Sequence, residues 1–236
     1  MAQARRKSHQ PPRELLCAGL STIFLDLKKG FRAEIPRKAV YRLSVYFRSL
    51  QRLKTNGIRT VSSEALAKAA GVKPTQLRKD LTYFGQFGTR GLGYDVEQLS
   101  RVITDELGAK GLQPVVLVGV GNLGLALLSY RGFEKEGFEI IGAFDSDAGR
   151  HRGKQSGVPI YEMDKLAPLV RQRNVKMAIL TVPATAAQEV ANILVQCGIS
   201  GILNFSPLVP EVPESVVVNN VNLAIELENL SYFVQR

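Results

Sequence analysis

Apolar positions fall into two regimes along this chain. From Pro36, read as the first helical position, Val40, Leu43, Val45, Tyr46, Phe47, Leu50 and Leu53 recur at helical spacing, and Asn56-Gly57 supplies the stop. Ser62 or Ser63 can cap a short helix, Glu64 to Ala70, which Gly71 ends. Pro74 then opens a second short helix running from Thr75 to Phe84, with Gly85 as its terminator. Two short helices across a tight, glycine-containing turn predict a helix-turn-helix. The stretch Gly85 to Tyr94 holds four glycines before Tyr94 and suits a tight β-ribbon or wing with Arg90 at its tip. Asp95 to Leu107 carries Val96, Leu99, Val102, Ile103 and Leu107 on one face and reads as a connector helix that Gly108 and Gly111 close.

Beyond Pro114 the pattern becomes one of alternating strands and helices: Val115 to Val118, Leu123 to Ser129, Glu139 to Phe144, Met177 to Val182, Ala186 to Gln196 and Gly201 to Asn204. Such alternation predicts an α/β domain with a parallel sheet covered by helices on both faces. Residues 1–34 show no clean periodicity, and Pro11-Pro12 argues against a continuous helix, so they read as a basic arm. The expected organisation is therefore an arm (1–34), a winged helix-turn-helix (35–94), a connector (95–111), an α/β domain (112–220) and a last helix (221–236).

Charge sharpens this division. Residues 1–94 contain 19 Lys and Arg against 5 Asp and Glu, while residues 95–236 contain 12 against 16, so the overall net charge of +10 resides in the first part. A polyanionic partner is implied for that part alone. The N-terminal half of the second short helix, which enters the major groove in a helix-turn-helix, offers Thr75, Gln76, Arg78 and Lys79. Gln76 and Arg78 are candidates for base edges and Lys79 for phosphate. Tyr83, Arg90, Arg37, Lys38 and Arg42 extend the set of candidate DNA contacts. Any one of these cations is equally well read as a solvated surface charge; it is their concentration that favours nucleic acid.

The segment Val115-Val116-Leu117-Val118-Gly119-Val120-Gly121-Asn122-Leu123-Gly124 is an apolar strand running into G-x-G-x-x-G at the start of a helix. Gly119 suits the tight turn, Gly121 lets backbone approach a pyrophosphate, and Gly124 lets helix and strand pack closely. The second strand ends in Asp145, about 20 residues onward, where this fingerprint places the carboxylate that binds ribose hydroxyls. That carboxylate favours NAD over NADP, although Arg150 and Arg152 lie nearby. The strand ends Thr181-Val182-Pro183 and Asn204-Phe205 should lie along the carboxyl edge of this Rossmann-type sheet, where such ligands bind.

Cys17 and Cys197 make neither a CxxC pair nor a disulfide framework, which fits a reducing, cytoplasmic setting, and no metal site is expected. No apolar run has the length of a membrane span. Arg5, Arg6, Lys7 and Arg13 before the apolar stretch Leu15 to Leu25 imitate a secretory leader, but that stretch lacks an A-x-A site and runs into Asp26, Lys28 and Lys29.

Basic helix-turn-helix, wing, connector and NAD fingerprint occur here in the order found in the Rex family of redox-sensing repressors. The chain resembles that family from about residue 35 onward, through Leu77-Arg78-Lys79-Asp80-Leu81-Thr82-Tyr83-Phe84-Gly85, Thr89-Arg90-Gly91-Leu92-Gly93-Tyr94, Ala178 to Pro183 and Gly201 to Phe205. The resemblance implies a homodimer that binds operator DNA when NADH/NAD is low and leaves it when NADH rises. It also implies a last helix that crosses to the partner subunit. By the same resemblance Arg48, Tyr130 near the nicotinamide and an acidic residue of the partner form contacts that change between the two states. This sequence has Asn222 at the acidic position, which removes the ion pair with Arg48.

Two other readings remain at this level. An NAD-dependent oxidoreductase with a basic extension lacks a clear acid–base residue, since the histidines are His9 and His151, and Tyr130 or Lys165 carries no supporting motif. A sugar- or CoA-sensing regulator keeps DNA binding and changes the ligand.

Overall fold

The computed structural model describes residues 35–88, 91–108, 111–151 and 157–234. The arm with Cys17, the wing-tip Arg90 and Arg152 therefore lie outside the described residues. The chain divides into two compact units between Gly108 and Ala109.

The first unit is mainly helical. Pro36 caps α1 (Arg37–Thr55) from one position outside it, and Asn56 and Gly57 end the helix as the sequence anticipates. Ser62 accepts the Ala65 N–H and opens α2 (Ser63–Ala69). After the turn at Gly71, Pro74 stands first in α3 (Pro74–Thr82), where a missing N–H costs nothing. α3 closes at Tyr83, two residues before the expected Gly85. The glycine stretch forms no ribbon of its own among its described residues. Instead β2 (Tyr94–Asp95) pairs antiparallel with β1 (Thr60–Val61), from before α2. Gly93 (φ +80°) permits this pairing, because any Cβ there would collide with the Val61 carbonyl.

The helix expected as a connector is part of this unit's core. Asp95 caps α4 (Val96–Leu107) by accepting the Gln98 N–H at 2.7 Å. Val96, Leu99 and Ile103 then pack with Leu43, Tyr46 and Leu50 of α1, Leu66 of α2, and Leu77 and Leu81 of α3. Its apolar face, legible in the sequence, needed a partner, and the nearest was α1.

Besides the buried hydroxyls of Ser49 and Ser100, a charged group enters that core. Asp80 of α3 is 1% exposed and receives four donors: Arg42 Nε (2.6 Å), Arg42 Nη2 (2.8 Å), Tyr46 Oη (2.7 Å) and Gln76 Nε2 (2.8 Å). Arg42, expected to meet phosphate, thus fastens α1 to α3. Burial by itself would raise the Asp80 carboxyl, but the hydrogen bonds from Arg42, Tyr46 and Gln76 outweigh it and hold the group below its usual range.

The second unit is one parallel sheet in the order β5-β4-β3-β6-β7-β8. Its strands are β3 (Gln113–Val118), β4 (Phe138–Asp145), β5 (Ile160–Glu162), β6 (Met177–Leu180), β7 (Gly201–Asn204) and β8 (Val217–Asn220). The helices are α5 (Asn122–Leu128), α6 (Gly132–Lys135), α7 (Leu166–Gln172), α8 (Ala184–Gln196) and α9 (Leu223–Val234). Alternation along β3 sends Val116 and Val118 into one apolar cluster and Val115 and Leu117 into the other, so both faces are buried. Strand order reverses between β3 and β6, which is where ligands of such sheets bind. Among the described residues no helix is long and apolar enough to cross a membrane.

Because Asp80 is depressed in the folded chain, its contribution to stability is complete above its unfolded value near pH 4 and is lost as pH falls through the lower folded value. Asp80→Asn should cost about 3 kcal/mol at neutral pH by urea unfolding. It should also flatten the part of the acid limb that Asp80 supplies.

Candidate functional site

At the β3–β6 crossover the glycine loop is held from three sides. The Gly119 N–H donates to the Phe144 carbonyl at 2.8 Å. Thr181 Oγ1, just past β6, donates toward the Gly119 carbonyl at 2.6 Å, with the Val118 carbonyl at 3.1 Å. Asp145 Oδ2, at the end of β4, accepts the Val120 N–H at 2.7 Å, and Oδ1 accepts the Asp147 N–H at 3.0 Å. The fingerprint carboxylate therefore braces the loop that it helps to form.

The three glycines have different reasons for being glycine. Gly119 has φ +100°, and a Cβ would lie 2.7 Å from the Thr181 carbonyl oxygen; at Gly124 a Cβ would run into the Gly119 carbonyl. Both are demanded by the protein itself. Gly121 has an ordinary φ of −74°, and a Cβ there would meet nothing within 4 Å. Nothing in the chain needs glycine at this position. A ligand brought against the backbone at the start of α5 does, and there Asn122 and Leu123 begin a helix whose first N–H groups have no intrahelical acceptor. The residues present thus fit a dinucleotide's pyrophosphate.

Two of the expected contacts, Val120 and Asn204, are tied into the chain itself. Val120 is fully buried and its N–H is taken by Asp145. Asn204 is also fully buried: its Nδ2 donates to the Leu208 carbonyl and Asn220 Oδ1, both at 2.8 Å, and its Oδ1 accepts the Ser206 N–H at 2.9 Å. It shapes the turn after β7. Leu123, Val182, Pro183 and Phe205 remain along the carboxyl edge, and Pro183 caps α8. Tyr130 is 60% exposed just after α5, edge-to-face with Phe133. Glu162, which the sequence reading missed, pairs in register with Asp145 and accepts the Ala148 N–H at 3.1 Å, fixing the turn that carries the exposed Arg150. Lys165 pairs with Asp164 at the surface, and no cluster of metal ligands occurs among the described residues.

In the first unit Thr75, Arg78, Lys79 and Tyr83 are exposed on or beside α3, and Arg37 and Lys38 are exposed at the start of α1. Arg78 Nη1 donates to Ser63 Oγ at 2.9 Å and lies 3.5 Å from Glu64, so its guanidinium rests on the N-terminus of α2. Gln76 is half-buried with its amide turned to Asp80. Arg48 is exposed on α1. Asn222 caps α9: its Oδ1 accepts the Ala224 N–H at 3.0 Å and lies 3.4 Å from the Ile225 nitrogen.

A basic helix-turn-helix on one side and a six-stranded dinucleotide-type sheet on the other define a two-unit transcription regulator. The family model described as "Putative DNA-binding protein N-terminus" matches residues 34–82, and the "CoA binding domain" model matches residues 112–208. The chain is 47% identical to the redox-sensing transcriptional repressor Rex of Carboxydothermus hydrogenoformans, over 88% of this chain and 99% of that one. It is 46% identical to the Rex of Streptomyces coelicolor, over 86% and 78%. Among solved structures it is similar to RSP in complex with NAD+ and operator DNA, with 35% identity, a TM-score of 0.78, and coverage of 85% of this chain and 92% of that chain. RSP in complex with NADH matches with a TM-score of 0.74 at 33% identity, covering 85% and 94%. The chain belongs to the Rex family of redox-sensing transcriptional repressors.

The glycine geometry separates stability from binding. Gly124→Ala should lower the melting temperature, because its Cβ has no room. Gly121→Thr, which caps a helix about as well as glycine, should stay within about 0.5 kcal/mol of the parent in stability yet bind NADH more weakly in a fluorescence titration. Equal stability losses in both would remove the case for a ligand at Gly121.

Proposed function

We propose that this chain is a cytoplasmic repressor that grips operator duplex through α3 and is released when NADH replaces NAD in the second unit. The observation that carries the reading is the likeness, over 85% of the chain, to a protein solved with both NAD+ and operator DNA. It is supported by the open cradle at Gly121 and by the separation of a net +14 first part from a net −4 remainder.

In this reading Gly121, Asn122 and Leu123 hold the pyrophosphate and Asp145 turns toward the adenosine ribose. Tyr130 lies by the nicotinamide, whose charge and ring shape are what differ between the two redox forms. Lys79, Arg37 and Lys38 neutralise phosphates, and Arg78 leaves Ser63 and Glu64 to meet DNA. Ligand alone can bias the equilibrium only by its differential affinity. Moving it from 1:99 to 99:1 takes about 5.5 kcal/mol, or roughly 100-fold preference at each of two sites. The chain acts as a sensor and not as a hydride-transfer catalyst: its relatives are named as repressors, and Tyr130 and Lys165 carry no acid–base motif.

Two sites imply two chains, and α9 supports this. It has no buried residue, and Leu223, Leu227, Leu230, Phe233 and Val234 are all more than half exposed. A second copy covering that face would give the homodimer, with helix-turn-helix units spaced for half-sites about 34 Å apart or a multiple of that. Asn222, which caps α9, keeps its place there without supplying a charge for Arg48, so the switch works through packing and hydrogen bonds. Leu227→Glu with Leu230→Glu should convert a dimer to a monomer by light scattering, and a chain already monomeric at micromolar concentration would refute the assembly.

The direct test is anisotropy of a labelled promoter duplex at fixed salt, with NAD, NADH, NADP and NADPH titrated separately. NADH should release the duplex. Asp145→Ala should blunt that release while leaving DNA affinity unchanged. Lys79→Ala should weaken DNA binding and reduce the slope of log K against log salt by about one. DNA binding indifferent to all four nucleotides would overturn the redox reading.

A further inference from the structure

Gln76 is a half-buried residue of α3 whose side chain is orientated by a buried partner. Asp80 is surrounded by four donors from Arg42, Tyr46 and Gln76 and is held ionised, so it can only accept. That fixes which end of the Gln76 amide faces it: the nitrogen, at 2.8 Å. The carbonyl oxygen is turned away from Asp80. Gln76 stands in the first turn of α3, between the exposed Thr75 and the core-facing Leu77, on the half of the helix that a helix-turn-helix lays into the major groove.

We infer that Gln76 is a specificity-determining residue that presents a fixed carbonyl acceptor to the operator and selects a base with an exocyclic amine in the major groove. This rests on the proposal that α3 reads DNA, and deepens it. Adenine N6 and cytosine N4 are the amines available there, whereas guanine and thymine offer oxygen acceptors at the corresponding positions. An unanchored glutamine could rotate its amide and serve either class. Asp80 removes that freedom, and Arg42 and Tyr46, by holding Asp80, act as positioning residues at one remove. The second amide hydrogen of Gln76 remains for adenine N7, so adenine can make a paired contact and cytosine a single one.

The full-length chain is used to select duplexes from a random library, and the most enriched duplex is then synthesised with single-atom analogues. At one position of each half-site the wild type should enrich adenine or cytosine over guanine and thymine. Replacing that base with its analogue lacking the exocyclic amine should weaken binding roughly 5- to 100-fold. The 7-deaza analogue of adenine tells the paired contact from the single one. Gln76→Ala should flatten preference at this position alone, and the amine-less analogue should then cost nothing further. Since the analogues are read on the wild type, the test does not depend on any variant folding. An unchanged preference profile in Gln76→Ala, or guanine or thymine enriched at the position it governs, overturns the inference while leaving DNA binding intact. A library from which nothing is enriched overturns the DNA-reading proposal and this inference with it.

Discussion

A carboxylate out of water must be surrounded by donors or give up its charge, and this constraint organises both units. In the first unit Asp80 draws Arg42 and Tyr46 from α1 and Gln76 from its own helix, so the angle between α1 and α3 follows from satisfying one anion. The apolar contacts of Leu43, Leu77 and Leu81 surround that point but do not direct it, because packing of leucines tolerates small rotations that the three hydrogen bonds from α1 do not. In the second unit Asp145 does related work at lower burial, bracing the glycine loop through the Val120 N–H while standing at the edge of the sheet. Each acidic residue thus converts a flexible neighbour, a glutamine amide in one case and a glycine loop in the other, into a surface of fixed geometry.

The topological crossover explains why the second surface forms where it does. β3 and β6 are neighbours in the sheet but far apart in sequence, and the loops leaving them diverge toward opposite faces. Thr181 closes the gap between them by donating to the glycine loop, and Asn204 one strand further on closes its own turn internally. Both turns are therefore hydrogen-bonded within the chain, and the carboxyl edge owes its shape to the protein's own contacts.

What the sequence made legible follows a physical pattern. α1, the short helix pair and the strand leading into G-x-G-x-x-G were readable because their apolar spacing, caps and glycines all agree. β5 and β8 were not: three residues, Ile160 to Glu162, and the half-polar Val217 to Asn220 are too short to show a period. α7 was hidden by Pro168, which reads as a breaker yet lies in the helix's first turn, where it does no harm. The pairing of Thr60–Val61 with Tyr94–Asp95 was not legible, because only the tertiary fold brings strands so far apart in the chain together. Among site residues, the glycines and Asp145 were legible by motif, whereas the interior hydrogen bonds of Arg42, Gln76 and Asn204 were not. Side-chain charge is visible in a sequence; the direction in which it points is not.

The three fingerprint glycines also carry different histories. Gly119 and Gly124 are held by collisions within the chain, so any descendant that keeps this fold must keep them, whatever it binds. Gly121 is exempt from that constraint, and only a ligand against the backbone would call for glycine there. A lineage that ceased to use the nucleotide would drift first at this position while its sheet stayed intact, so Gly121 is the place in the chain where disuse would leave a record.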